Sequence, residues 1–108
     1  MTDKIVILST CASQPEAERI ALLLVEQRLA ACVNVLPQVK SFYRWQGAVE
    51  TAAEVLLIIK SSRAHFAALR AALESAHSYE LPEALAIPVV DGSPNYLNWL
   101  DANLGPQA

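Results

Sequence analysis

Val55-Leu56-Leu57-Ile58-Ile59 is apolar at five consecutive positions and ends at Lys60. A run this short, rich in branched residues and bounded by polar ones, reads as a strand buried on both faces. Ile5-Val6-Ile7-Leu8 reads the same way and opens a first strand that runs to about Cys11. Two central strands are therefore predicted, and the rest of the chain must supply their neighbours.

Upstream of the quoted run, Cys32 to Trp45 alternates with period two. Val33, Val35, Val39, Tyr43 and Trp45 are assigned to one face and Asn34, Gln38, Lys40 and Arg44 to the other. Pro37 interrupts this strand, which places it at a sheet edge or a bulge. Gln46-Gly47-Ala48 is a short turn, so the second strand and the third, Val49 to Lys60, form one long hairpin. A fourth strand from Leu85 to Val90 carries Pro88 and also belongs at an edge.

Helices fill the gaps. Ser13 and Glu16 have capping-box spacing and Pro15 suits a first turn, predicting a helix to about Leu29. Its stripe is Ala17, Ile20, Ala21 and Leu24. Ser62 is positioned to cap a second helix to about Ala76, with Phe66, Leu69, Leu73 and Ala76 inward. Ser93-Pro94 starts a short third helix through Tyr96, Leu97 and Leu100.

The order β-α-β-β-α-β-α, with central strands one and three and edge strands two and four, is that of the ferredoxin-like α/β sandwich, sheet order 4-1-3-2, with an extra C-terminal helix. All 108 residues are expected to form a single domain. Two main helices cover one face of such a sheet, yet the central strands are apolar on both. Further copies of the chain are the expected cover for the second face. The 54% hydrophobic content agrees with a surplus of apolar surface.

The formal charge of −3 and the lack of a Lys/Arg cluster argue against nucleic acid and anionic membranes as partners. No apolar stretch approaches the ~18 residues of a membrane span, and the N-terminus lacks the features of a secretory signal. A cytoplasmic protein is expected. Its two cysteines, Cys11 and Cys32, then read as free thiols, Cys32 as structural.

Cys11 lies where a strand hands over to a helix N-terminus, a setting that favours thiolate. No arginine or glycine-rich loop follows to make a phosphatase, and no second cysteine makes a redox pair. Soft-metal ligand and inert packed thiol both remain. His65, in the first turn of the second helix, reads as a solvated surface residue. His77 opens His77-Ser78-Tyr79-Glu80-Leu81-Pro82-Glu83 and is either a helix C-cap or a ligand. Imidazole, nearby carboxylate and distant thiolate together suit copper or zinc. Tyr43, Trp45, Tyr79, Glu80 and Glu83 form a second group, an aromatic and acidic belt expected near a subunit boundary and open to a small ligand or partner. Trp99 is a further interface candidate, with Tyr96 beside it. No nucleophile–base–orienter set is visible, so no catalytic residue is assigned and a non-enzymatic protein is expected.

Leu29-Ala30-Ala31-Cys32-Val33-Asn34-Val35, Ser41-Phe42-Tyr43-Arg44-Trp45-Gln46-Gly47, Glu54 to Lys60, His77 to Glu83 and Gly92 to Leu100 occur in an order and spacing that resemble the CutA divalent-cation tolerance family, from about Ile5 to Leu100. The resemblance implies a ferredoxin-like fold and a compact homotrimer in which the long hairpin reaches a neighbouring subunit. It implies copper tolerance, a response to metal ions and divalent-cation binding, with Cys11 and His77 at the matching positions. The architecture is also similar to PII signalling proteins, which implies as an alternative a regulatory module binding a small ligand or protein between subunits. Three positions depart from patterns seen in the family. Ser78 stands where proline is frequent, Ala76 where some members carry a second histidine, and Ser9 where some carry a ligand cysteine.

Overall fold

The computed structural model describes residues 1–106. Strand β1 is Lys4–Cys11, helix α1 Gln14–Glu26, β2 Cys32–Trp45 and β3 Ala48–Ser62. A single 3-10 turn, Arg63–His65, leads into α2 at Phe66–Ala76. Strand β4 is Leu85–Pro88 and α3 is Pro94–Asn103. The sheet order is β2-β3-β1-β4, antiparallel throughout, as the two-sided runs and the edge prolines require.

Side chains alternate along the two central strands. Ile5, Ile7 and Cys11 of β1 and Val55, Leu57 and Ile59 of β3 pack against Ala17, Ile20 and Leu24 of α1 and Leu69 and Leu73 of α2. Ile7, Leu57 and Ile59 have no exposure. The intervening residues, Val6, Leu8, Leu56 and Ile58, face the other way and are only half-buried. Leu85 and Ile87, paired with Leu8 and Val6, extend this second face and are exposed. Helix α3 roofs only one end of it, where Leu100 is buried and Lys60 Nζ lies 3.4 Å from the Tyr96 hydroxyl. Lys4 holds α3 from the sheet's end through 2.6 Å ion pairs to Asp3 and Asp101.

The β2–β3 hairpin projects as an arm, which accounts for a 44 Å long axis against 25 and 22 Å. Its turn is Gln46-Gly47, both at positive φ (50° and 83°), the backbone that matches the twist of a two-residue hairpin. Phe42 and Val49 on the arm are exposed.

Four expectations change. First, Val33, Val35, Val39, Tyr43 and Trp45 do not share one face. Leu36 pairs with Leu56 but Val39 pairs with Glu54, so Pro37 and Gln38 together oppose Val55. This bulge, with Gln38 at φ 64°, adds one residue and flips the side-chain parity beyond it. Val33 and Val35 belong to the helix side, and Val39, Tyr43 and Trp45 to the open side.

Second, α1 stops at Glu26 rather than near Leu29. Arg28 is left-handed (φ 58°), and the Leu29 and Ala30 amides both return to the Leu24 carbonyl. This is a helix stop in which a non-glycine takes the left-handed position. Third, β4 ends at Pro88 rather than Val90.

Fourth, His65 is buried, not solvated. Its Nε2 donates to the Gly105 carbonyl at 2.7 Å and its Nδ1 accepts from the Ser62 hydroxyl at 2.6 Å. The Ser62 hydroxyl is therefore committed to the ring and does not cap a helix amide. The partner that buries His65 arrives from 40 residues downstream, beyond any local helical spacing.

Candidate functional site

Two sites gather around the loop between α2 and β4. The first joins the C-terminal end of β1, the start of α1 and the end of α2. Ser13 caps α1, its hydroxyl accepting from the Glu16 amide at 3.3 Å, and this turns the Glu16 side chain back toward β1. Glu16 Oε1 accepts from the Ala12 amide at 3.3 Å and Oε2 from the Ser78 amide at 2.8 Å. His77 leaves the end of α2 in extended backbone and its ring lies over the end of β1. Cys11 Sγ is 3.8 Å from His77 Nε2. The ligand atoms of Cys11, Glu16 and His77 all lie within 4.8 Å of one another. The fold thus brings the two expected ligands together and adds Glu16, whose capping-box spacing marked it only as a helix start.

The hydrogen bonds define the resting state of this cluster. The Thr10 carbonyl, 2.8 Å from Nε2, takes the imidazole proton, and Nδ1 accepts from the Tyr79 amide at 3.0 Å. His77 is therefore a neutral ring with both nitrogens engaged. It does not cap α2, whose terminal Ala76 carbonyl is taken by Arg19 at 3.2 Å. Burial, aided by the charges of Glu16 and Glu54, pushes the Cys11 thiol up to about 11. The expected thiolate is thus a protonated thiol at neutral pH, because desolvation outweighs the helix terminus. For Glu16, burial disfavours the charge, but hydrogen bonds from Ser78 and the Ala12 amide more than offset it and hold the carboxyl below its usual range.

A sulfur, a carboxylate oxygen and an imidazole nitrogen within one coordination shell suit a borderline or soft divalent cation. Cys11, Glu16 and His77 would hold it. Binding must displace the thiol proton and move the imidazole proton from Nε2 to Nδ1, breaking the Thr10 and Tyr79 contacts, so it is a competition with bonds already made.

The second site is a groove of about 680 Å³ at the base of the arm, on the open side of the sheet. It collects Tyr43, Trp45, Tyr79, Glu80 and Glu83, five of the expected interface residues. Trp99 is not among them; it stacks on Tyr96 on α3, ring centroids 5.6 Å apart. The groove adds Glu50 and Glu54 of the third strand; Glu54 opens the run Glu54 to Lys60 that carries the family resemblance, but neither was expected at a site. The bulge explains their meeting. It turns Tyr43 and Trp45 to the same side as their partners Glu50 and Ala48, with Glu54 behind. Glu54 is 9% exposed and accepts from the Tyr79 hydroxyl at 2.7 Å. Burial first, then the bond to Glu54, pushes the Tyr79 phenol well above its usual range. Tyr79 thus belongs to both sites, its amide holding His77 and its hydroxyl holding Glu54.

The sequence model of the CutA1 divalent ion tolerance protein matches residues 5–103. The chain belongs to that family. A divalent-cation tolerance protein CutA of Thermus thermophilus is 44% identical over 100 residues, covering 93% of this chain and 97% of its own. The human protein CutA is 44% identical over 91 residues, 84% of this chain and 51% of its own. Among solved structures, CutA of Xylella fastidiosa superposes with a TM-score of 0.94 at 45% identity, covering 96% of this chain and all of its own. CutA of Archaeoglobus fulgidus, described as periplasmic, gives 0.90 at 42%, covering 93% and 97%. The fold is therefore that of these CutA structures over nearly the whole chain.

Proposed function

We propose that this CutA family member is a non-enzymatic, homotrimeric divalent-cation tolerance protein that binds copper or a similar ion through Cys11 and His77, with Glu16 as a third donor. The observation that carries the reading is the convergence of these three side chains within 4.8 Å, from elements far apart in sequence. Cytoplasmic placement is supported by two unpaired cysteines, one of them partly exposed. Trimerisation is supported by the half-open apolar face of the sheet and by an arm whose apolar residues lack cover. Size-exclusion chromatography with light scattering should return three subunits; a stable single chain at working concentration overturns this part.

Because the thiol proton must leave, affinity for Cu²⁺ or Zn²⁺ should rise with pH between 6 and 8. Isothermal titration at the two pH values, repeated with Cys11→Ser and His77→Ala, tests the site. Unchanged binding in both variants removes these residues from the claim.

A second reading is favoured by the groove, which concentrates aromatic and acidic groups at the base of the arm. In it the chain is a PII-like regulatory module that takes a small ligand or an as yet unknown protein partner at a subunit boundary.

A further inference from the structure

The groove beside Glu54 has a chemistry that the metal reading does not use. We propose that it binds a small organic ammonium ion of the quaternary or alkylammonium class. The proposal rests on the second reading above and adds to it the class of ligand.

Three features select that class. The volume of about 680 Å³ is that of a small-molecule site and far exceeds what a bare metal ion needs. Tyr43, Trp45 and Tyr79 line it, and aromatic rings attract alkylated cations. Among the described residues, no lysine, arginine or histidine lines the groove, while four carboxylates do, a lining that disfavours an anionic ligand.

Glu54 supplies the decisive observation. Its side chain is more than nine-tenths buried, yet it forms no ion pair among the described residues. One phenol hydrogen bond stabilises it, which is modest support for a buried carboxylate. A cation in the groove supplies the missing countercharge. The aromatic lining suits a diffuse charge better than a metal ion. Among the described residues, the one set of three or more donors close enough to hold a metal is Cys11, Glu16 and His77, and none of these lines the groove. The arm already shows the preferred contact, since Lys40 Nζ lies 5.5 Å from the Phe42 centroid. That ring, which also lines the groove, is thereby engaged and leaves Tyr43, Trp45 and Tyr79 as the cage.

The test uses the full chain carrying Trp99→Phe, so that tryptophan fluorescence reports Trp45 alone. Choline chloride is titrated at constant ionic strength beside its neutral isostere 3,3-dimethylbutan-1-ol and the anion 3,3-dimethylbutyrate, with thermal melting followed in parallel. Choline should saturate the signal and raise the melting temperature, the alcohol should bind about tenfold more weakly, and the anion should do neither. Glu54→Gln keeps an acceptor for Tyr79 and should weaken choline binding by about tenfold. Glu83→Gln, at a less buried position, should weaken it by a smaller factor and serves if the first variant does not fold. Equal binding of choline and the alcohol overturns the ligand class and leaves the groove reading standing. Binding of none of the three overturns the ligand class and leaves only the protein-partner form of the groove reading.

Discussion

Ile58 and Ile59 are neighbours with the same side chain on the same central strand, and the fold treats them oppositely. Ile59 has no exposure and sits under α1 and α2; Ile58 is half-buried on a face that α3 covers at one end only. The difference teaches that a two-sided apolar strand specifies that both faces need cover without specifying what covers them. One face is satisfied within the chain. The other is left half-open within the chain, the face that the proposed trimer would cover.

Charge insertion breaks this comparison most sharply. Ile59→Asp should leave no cooperative unfolding transition, because an unpaired charge under two helices costs several kcal/mol. Ile58→Asp should instead preserve far-UV circular dichroism while light scattering falls from three subunits to one. An unfolded Ile58→Asp chain, or an intact trimer, removes the distinction between the faces.

Truncation sharpens it. Leu57→Ala should cost about 2–5 kcal/mol at every protein concentration, read by denaturant unfolding. Leu56→Ala should have its effect chiefly in a melting temperature that depends on concentration.

Acid distinguishes the edge of the roofed face. The Glu16 carboxyl titrates below its usual 4.5, so its stabilising contribution is complete above that value and is lost as pH falls through the lower folded-state value. Glu16→Gln should lower stability by about 2 kcal/mol at pH 7 and flatten the acid limb of the stability–pH curve. The smallest expected effect is a gain. Arg28→Gly relieves a left-handed residue at the end of α1 and should add about 0.5–1 kcal/mol by the same unfolding measurement.

The legibility of the chain follows from the range of its interactions. Apolar runs, prolines and caps are local signals, and they carried the strand order, the arm and α3. The disruption at Pro37 was legible, but its consequence was not. Whether a proline ends, kinks or bulges a strand depends on the partner's register, and only pairing to Val55 shows that parity flips. Cys11 and His77 were legible through residue type and position. Glu16 was legible only as a cap, and Glu54 only as the first residue of a strand run, since each acquires its role from a contact across the fold. The Cys11 protonation state was misjudged for a related reason: the helix terminus is visible in sequence, whereas the depth of burial that overrides it is not.

The bond from His65 to Gly105 has a practical corollary. Chain removed or rigidly fused at the C-terminal end acts on the entry to α2, forty positions upstream, because the imidazole proton would lose its carbonyl and Ser62 its well-placed ring. Affinity handles are therefore better attached at Met1, which is exposed, and a shortened variant that melts early reports the loss of this staple rather than a defect in either binding region.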